Sequence, residues 1–250
     1  MAAKRRVDQL LVDRGLAESR ARAQALILAG LVFAGDRRID KAGDQIAGEA
    51  ALMVKGRDHP WVSRGGVKLA HALDHFAIEI SGRVALDIGA STGGFTDVLL
   101  DRGARRVYAV DVGHGQLAWK LRQDPRVVVH ERLNARSLSR EHVPEAVDII
   151  TCDASFIGLA TVLPAPLALA AERALLVALV KPQFEAGRDH VGKGGVVRDP
   201  AIHREVCDRA AAWVGAQPGW MVTGVVESPI LGPEGNREFL LYARRESTEG

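Results

Sequence analysis

The sequence predicts an α/β protein: a Rossmann-like sheet with helices on both faces, joined to a small N-terminal α/β unit. Three observations carry that reading. From Val84 onward, apolar strand-like runs alternate with helical stretches, the pattern of a doubly wound parallel sheet. The stretch DIGASTGGFTDVLL, Asp87 to Leu100, runs from a strand end through glycines into an apolar helix, where such sheets hold their ligands. Ahead of both, residues 7–40 read as two helices and a hairpin.

Taken in order, VDQLLVDR (residues 7–14) is a short helix with Asp8 near its start and Gly15 as its stop. Ser19 caps a second helix, Arg20 to Ala29, which Gly30 ends; LVFAGDRRID then gives two strands around Ala34-Gly35. Gly and Pro punctuate a linker ending near Pro60, and Val67, Ala70, Leu73 and Phe76 follow at close to helical spacing. Strands are expected at Val84–Asp87, Val107–Asp111, Val127–His130, Val147–Cys152 and Leu175–Val180, with helices near Gly94–Arg102 and Gly115–Arg122. A last strand opens at Glu238 in EFLLYAR. The expected division is residues 1–58, a linker at 59–66, and a larger domain at 67–250.

The 250-residue chain is 47% hydrophobic, ample for a packed core. Its longest apolar run, Ala174 to Val180, is far short of the ~20 residues that span a bilayer. Met1 to Arg6 leads into Val7-Asp8-Gln9 rather than a signal-peptide core, so a cytoplasmic protein with no membrane role is expected. Two cysteines, Cys152 and Cys207, support neither a disulfide framework nor a metal cluster, and both are expected to be buried. Net charge is +2, but residues 1–60 hold 11 Lys and Arg against 8 Asp and Glu, and the remainder 22 against 23. The cation excess lies in the N-terminal quarter.

Those cations have a pattern. Arg20 and Gln24, four apart, share a helical face, and Lys4, Arg5, Arg6, Arg37 and Arg38 flank the same unit. RVDQLLVDRGLAESRARAQALILAGLVFAGDRRIDKAG resembles the alpha-L RNA-binding domain of a ribosomal protein, pseudouridine synthases and tyrosyl-tRNA synthetases. Ala34 departs from that family, which usually has Asn before the turn glycine. An RNA-facing surface is implied at Lys4, Arg5, Arg6, Arg20, Gln24 and Arg37, with Arg64 beyond the linker.

Gly89, Gly93 and Gly94 space as GxxxGG, and Ser91 stands where a dinucleotide fingerprint needs its second glycine for close pyrophosphate approach. S-adenosylmethionine carries no phosphate and asks the loop only for room. A carboxylate at Asp87 suits its ammonium group, and Asp111, 22 residues after Gly89, suits a ribose diol, although NAD would use Asp111 equally. Asn134 stands either at the adenine edge or in a turn. The glycine loop combined with YAVDVG and DIITCDASF predicts a methyltransferase that uses S-adenosylmethionine.

The motifs VSRGGVKL, DIGASTGGFTD, VDVGHGQL, CDASFIGL, VKPQFEAGR, VGKGGVVRD and SPILGPEGNREFL stand in the order expected of TlyA-type proteins, and the chain resembles that family over nearly its whole length. The resemblance implies an FtsJ-like ribosomal RNA methyltransferase acting on cytidine 2′-hydroxyls of 16S rRNA, 23S rRNA or both, with ribosomal subunits as partners. It implies cofactor contacts at Asp87, Gly89, Ser91, Thr92, Gly93 and Phe95, at Asp111 and Val112, and at Asn134 and Asp153. A chain that starts just before its RNA-binding motif and ends soon after the last strand is expected to have a narrower target range than longer relatives.

Topology gathers a further group. Asp153 and Lys181 follow two parallel strands; in a methyltransferase sheet the last strand runs antiparallel beside the strand ending at Lys181, which brings Glu238 to the same edge. Lys68, on the helix before the first strand, completes the set, and Lys68, Asp153, Lys181 and Glu238 match the family's catalytic tetrad. A ribose hydroxyl is a poor nucleophile, so a base is needed. Lysine serves as one when neutral, a state that desolvation and a second cation such as Lys68 favour and that Asp153 and Glu238 oppose. Lys181 is the expected base.

Residues 184–200, with Arg188, Lys193 and Arg198, read as a mobile loop that either closes on the target or simply carries solvated cations. Phe156 or Phe184 can stack on a flipped base, although core packing is the expected role for both and for Trp119, Trp213 and Trp220. Trp61, in the interdomain stretch, is expected to make a packing contact, with coupling of RNA docking to the cofactor site as the alternative. Rival readings are a non-catalytic RNA-binding or ribosome-assembly factor, a membrane-lytic hemolysin and, more distantly, an NAD oxidoreductase.

Overall fold

The computed structural model describes residues 4–17, 19–28, 30–54, 59–232 and 235–246. Its N-terminal unit comprises β1 (Lys4–Arg6), α1 (Val7–Asp13), α2 (Arg20–Leu28), β2 (Val32–Ala34), β3 (Arg37–Arg38), β4 (Gln45–Ala47) and β5 (Leu52–Val54). Val7, Leu10 and Leu11 on α1 recur at helical spacing and close on Ala23 and Ile27 of α2 and on Val32 and Ile39. Ala29, expected to end α2, lies outside the described residues. β2 and β3 form the expected hairpin, and the left-handed backbone falls on Gly35 (φ +59°) while Ala34 stays in the strand, paired with Arg37. A type II′ turn needs its glycine at that first loop position, which is why Ala is tolerated before it. Two pairings were not foreseen: β1 with β4, and β5 with β2.

Beneath this unit's basic surface lies an acid. Asp8 is fully buried; Arg6 grips it with two bonds of 3.0 and 2.8 Å, and Arg20 (3.0 Å) and Gln24 (3.3 Å) reach it from α2. The Arg6 fork, opposed by burial and aided by Arg20 and Gln24, holds the Asp8 carboxyl well below the usual carboxylate range. A depressed folded-state pKa gives stability that is complete above the unfolded value near 4 and is lost as pH falls below it. Asp8→Ala leaves Arg6, Arg20, Gln24 and the Gln9 amide without their acceptor and is expected to cost the unit about 1–3 kcal/mol. Hydrogen exchange should then quicken at the amides of α1 and α2 and stay unchanged in the larger unit.

The second unit opens with α3 (Gly65–His75); the expected domain boundary at residue 58 falls outside the described residues. Its strands are β6 (Val84–Ile88), β7 (Arg106–Val110), β8 (Val127–His130), β9 (Val147–Cys152), β10 (Ala170–Val180), β11 (Trp220–Glu227) and β12 (Phe239–Arg245). They form one seven-stranded sheet in the order β11-β12-β10-β9-β6-β7-β8. The five strands from β10 to β8 are parallel; β12 runs antiparallel to β10, with Val180 opposite Phe239, and β11 antiparallel to β12.

Alternation along the strands builds a core on each face. Ala85, Val107, Ile149, Val177 and Leu240 meet Leu69, Leu73, Val98 and Leu99 from α3 and α4 (Gly94–Asp101). Leu86, Val110, Ile150, Leu176 and Leu241 meet Leu159, Leu163 and Leu167, from the segment spanning α6 (Leu159–Val162) and α7 (Pro164–Ala168), and Val206 and Val214 of α9 (Pro200–Gly215). The helix expected over 115–122 is a single turn, α5 (Trp119–Arg122). A last short helix, α8 (Pro182–Glu185), follows β10. The units touch where Gly15 meets Ala118, and a Cβ on Gly15 would come within 2.9 Å of the Ala118 Cβ.

Strand order reverses between β6 and β9. The chain goes from β6 outward to β7 and β8, then crosses back to β9 and β10, which opens a crevice above the carboxyl ends of β6 and β9. Cys152 closes β9 fully buried, and burial pushes its thiol up to about 12; Cys207, half-buried on α9, is likewise pushed up to about 12, so both are inert thiols.

Candidate active site

At that crevice the glycine loop crosses from β6 to α4. Gly89 (φ +77°) passes against the next strand end so closely that a Cβ there would lie 2.9 Å from the Asp153 carbonyl oxygen. Gly93 (φ +95°) would drive a Cβ to 2.2 Å from Leu121 Cδ1. Gly89 therefore demands glycine for space and for backbone alike, whereas at Gly93 the left-handed backbone makes the demand and the ends of Leu117 and Leu121 would have to shift. Ser91 between them holds φ +48°, strained for a residue with a side chain, and its amide donates to Asp111 Oδ2 at 2.8 Å.

Two adjoining concavities share this loop. One, about 260 Å³, is lined by Ser63, Arg64, Lys68, Asp153, Ser155 and Lys181 together with loop residues that include Thr92 and Phe95. The other, about 470 Å³, is lined by Asp111, Val112, Gln116, Asn134, Phe156 and Val162 among others. Gly89, Ser91, Asp153 and Ser155 border both.

Two ion pairs stand at the smaller one. Lys181 Nζ lies 2.6 Å from Asp153 Oδ1 and donates to Ser155 Oγ at 2.9 Å. Lys68 Nζ donates to Glu238 Oε2 at 2.5 Å. Lys68 and Lys181 are each 7% exposed and Glu238 1%, so both ammonium groups are largely shielded from water. Glu238 does not line the cavity itself and sits behind Lys68. Each lysine is thus matched to its own carboxylate, whereas the sequence suggested Lys68 as the cation acting on Lys181. Ser155 was missed, although it stands two residues after Asp153 in the quoted CDASF motif.

Asp87 is placed differently from the expectation. It is fully buried beneath the loop, accepting from Thr96 Oγ1 at 2.6 Å and Thr151 Oγ1 at 3.0 Å, and burial pushes its carboxyl up to about 6. It fixes the loop from below and lines neither cavity. Asp111 does line one, with each oxygen already taking a loop amide: Ser91 on Oδ2 and Gly113 on Oδ1 at 2.6 Å. A carboxylate oxygen accepts twice, so both keep capacity for a ligand's hydroxyls. Asn134 lines the same cavity and caps a short turn, its Oδ1 accepting from the Arg136 amide at 3.1 Å.

Two aromatic expectations are corrected. Phe156, assigned to core packing, is 90% exposed with φ +64°, its ring 5.0 Å from that of Phe184. Trp119, also assigned to the core, is 61% exposed. The segment read as a mobile loop is tied down near its end: buried Asn236 accepts from the Val197 amide at 3.1 Å and donates to the Gly195 carbonyl at 2.9 Å.

Of the expected RNA-facing residues, six lie together on the N-terminal unit, and Arg64 stands apart at the smaller cavity. Lys4, Arg5 and Arg6 are exposed along β1. Arg5 pairs with Asp13, Arg37 reaches Asp44 at 3.7 Å, and Arg6, Arg20 and Gln24 converge on Asp8.

A parallel sheet with an antiparallel strand inserted beside β10, and a glycine loop at the strand-order reversal, defines a methyltransferase. Residues 61–245 match the FtsJ-like methyltransferase family and residues 5–51 the S4 domain. The chain is 51% identical, over 99% of its length and 92% of the relative's, to the 16S/23S rRNA (cytidine-2′-O)-methyltransferase TlyA of Mycobacterium tuberculosis. It is 39% identical to Hemolysin A of Brachyspira hyodysenteriae, covering 95% and 98% of the two chains. A solved structure from Streptococcus thermophilus, described as a hemolysin, superposes with a TM-score of 0.74 at 42% identity, over 98% of this chain and 90% of that one. The chain belongs to the TlyA family of FtsJ-like methyltransferases that carry an N-terminal S4 domain. Among the described residues no helix is long and apolar enough to cross a membrane.

Proposed function

We propose that this protein transfers a methyl group from S-adenosylmethionine to the 2′-hydroxyl of a cytidine in ribosomal RNA. The observation that carries the reading is the convergence of two lysine–carboxylate pairs on a cavity bordered by the glycine loop. Membership of a family with a 51% identical rRNA (cytidine-2′-O)-methyltransferase supplies the substrate class.

The larger cavity suits the donor by its chemistry. Asp111 offers acceptors for a ribose diol, Val112 and Val162 give apolar walls for a base, and Gly89 lets a ligand lie against backbone. Bound there, S-adenosylmethionine supplies a methyl carbon activated by its sulfonium. Thr92, Gly93 and Phe95 complete the loop, with Asp87 as its support.

Lys181 is the base: once it has given up its own proton, Nζ takes the hydroxyl proton as the ribose oxygen forms its bond to the methyl carbon, and the sulfur keeps the electron pair of the bond that breaks. Asp153 and Ser155 hold that amine in place. Lys68, kept in register by Glu238, steadies the hydroxyl. Positioning of this kind contributes on the order of 7–11 kcal/mol at best.

The S4 unit docks the RNA through Lys4, Arg5, Arg6, Arg20, Gln24 and Arg37, with Arg64 meeting the strand at the catalytic cavity. A division into an RNA-binding unit (1–58), a linker (59–66) and a catalytic unit (67–250) goes with this assignment. The site of action is the ribosomal subunit in the cytoplasm.

Phe156 is the stacking platform for the target base. A left-handed, solvent-exposed phenylalanine is strained and hydrated at once, a combination that persists where a ligand needs it. Base–aromatic stacking is worth about 1–3 kcal/mol, so Phe156→Ala is expected to lower transfer roughly 5- to 150-fold. Phe156→Tyr should retain most of it, and Phe156→Gly should lose transfer while melting no lower than wild type. Because Phe156 also borders the donor cavity, wild-type transfer by Phe156→Ala, or a loss of transfer matched by an equal loss of S-adenosylmethionine affinity, removes the assignment.

The whole reading is tested by transfer of radiolabelled methyl to separated ribosomal subunits from cells lacking the enzyme, with mapping of 2′-O-methylated positions. Label on a cytidine ribose supports it. No label on either subunit, with S-adenosylmethionine still bound, points instead to a non-catalytic RNA-binding factor.

A further inference from the structure

At the end of the sheet remote from the catalytic cavity, four arginines converge. Arg83 precedes β6, Arg173 lies early in β10, and Arg244 and Arg245 close β12 opposite Leu175 and Ala174. With Ala174, Leu175 and Glu246 they line an open concavity of about 480 Å³.

What holds these guanidinium groups is neutral. Arg83 Nε donates to the Glu79 carbonyl at 2.6 Å, and Arg245 Nη1 to the carbonyls of Ala170 (3.1 Å) and Ala171 (3.3 Å). Arg244 Nε reaches Thr223 Oγ1 at 3.4 Å, and its guanidinium carbon lies 5.9 Å from the Tyr242 ring centroid. None of the four forms an ion pair among the described residues. Elsewhere in the same unit Arg102, Arg105, Arg122, Arg126, Arg209 and Arg237 each pair with a carboxylate. Glu246 alone offsets the cluster within the concavity.

Four like charges around one hollow, three of them held by hydrogen bonds, repel one another, and an anion between them offsets that repulsion. Guanidinium forks match phosphate oxygens, and a wall whose apolar part is Ala174 and Leu175 offers a base little to stack on. We infer that this concavity is a second RNA contact, which holds backbone phosphates of the substrate away from the methylated nucleotide. The inference rests on the proposed RNA substrate. From Ala174 to Lys181 the chain runs along β10 for roughly 23 Å at ~3.3 Å per residue, so the phosphates held here flank the target in structured RNA.

Arg173 and Arg244 are exposed, and replacing both with Ser leaves the packing intact. Filter binding of the R173S/R244S protein to purified ribosomal subunits, from 50 to 300 mM KCl, is expected to show weaker affinity by about 10-fold or more at low salt. The slope of log K against log salt should become shallower by about 1.4–1.8, because two phosphates are no longer neutralised and keep their counterions. Methyl transfer at saturating subunit and the melting temperature should match wild type. Unchanged affinity and slope overturn the inference. If inorganic phosphate or pyrophosphate raises the melting temperature of wild type but not of the variant while RNA affinity is unchanged, the site serves a free anion and the RNA assignment is overturned. Failure of wild type itself to bind or methylate any subunit strikes the proposed function instead.

Discussion

Lys181→Ala is expected to lower methyl transfer by three orders of magnitude or more while leaving the affinities for S-adenosylmethionine and RNA within a few-fold of wild type. General-base catalysis alone contributes about 10²–10⁴-fold, and the same side chain anchors Asp153 and Ser155 at the reacting edge. A purely electrostatic role predicts a different outcome for a second variant. Lys181→Arg keeps the cation and its pairing with Asp153, yet a guanidinium gives up no proton in this pH range and so accepts none. Both variants should therefore be inactive in single-turnover assays with bound substrates. Recovery of substantial transfer by Lys181→Arg means that position 181 supplies charge, and the base lies elsewhere.

Why the juxtaposition of Lys68, Asp153, Lys181 and Glu238 was legible at all is a matter of topology. β9 is buried over most of its length and β10 ends in the apolar run Ala174 to Val180, so their carboxyl ends and the residues after them, Asp153 and Lys181, could be read directly from the sequence. Glu238 needed one more step, the antiparallel insertion of β12 beside β10, which the register of Val180 with Phe239 shows. What could not be read depended on partners remote in the chain. Asp87 looks available in sequence and is sealed only because Thr96 and Thr151 arrive from α4 and β9 to cover its oxygens. Asp8 likewise reads as a helix-start acid, yet it is the hub on which Arg6, Arg20 and Gln24 converge.

Secondary structure failed for related reasons. β1 is Lys-Arg-Arg, with no apolar period to betray a strand, and exists through its pairing with β4. By contrast α9 carries its own signals, a capping Asp199 whose Oδ1 accepts the Ala201 amide at 2.8 Å and Pro200 at the first turn. β11 is partly hidden by the register shift between Val222 and Gly224. The helix expected after Asp111 shrinks to one turn because residues 113–118 are drawn into the loop, with the Gly113 amide on Asp111 and the Ala118 amide on the Thr92 carbonyl at 3.1 Å.

Glu238→Gln should be the variant that separates stability from chemistry. The side chain is fully buried, and its partner Lys68 would keep a charge that neither water nor a carboxylate then balances. Breaking a buried pair from one side costs about 3–5 kcal/mol. In a unit of this size that lowers the melting temperature by roughly 6–20 °C. Replacing both partners, Lys68→Met with Glu238→Leu, removes the uncompensated charge, so much of the lost stability should return. Activity should not, because neither hydrophobe can orient a hydroxyl. A double-mutant cycle read by thermal unfolding and by methyl transfer therefore has two different expected shapes: strong coupling with recovery in stability, and losses without recovery in rate. If the double variant regains transfer along with its melting temperature, the Lys68–Glu238 pair is scaffold, and catalysis belongs to Lys181, Asp153 and Ser155 alone.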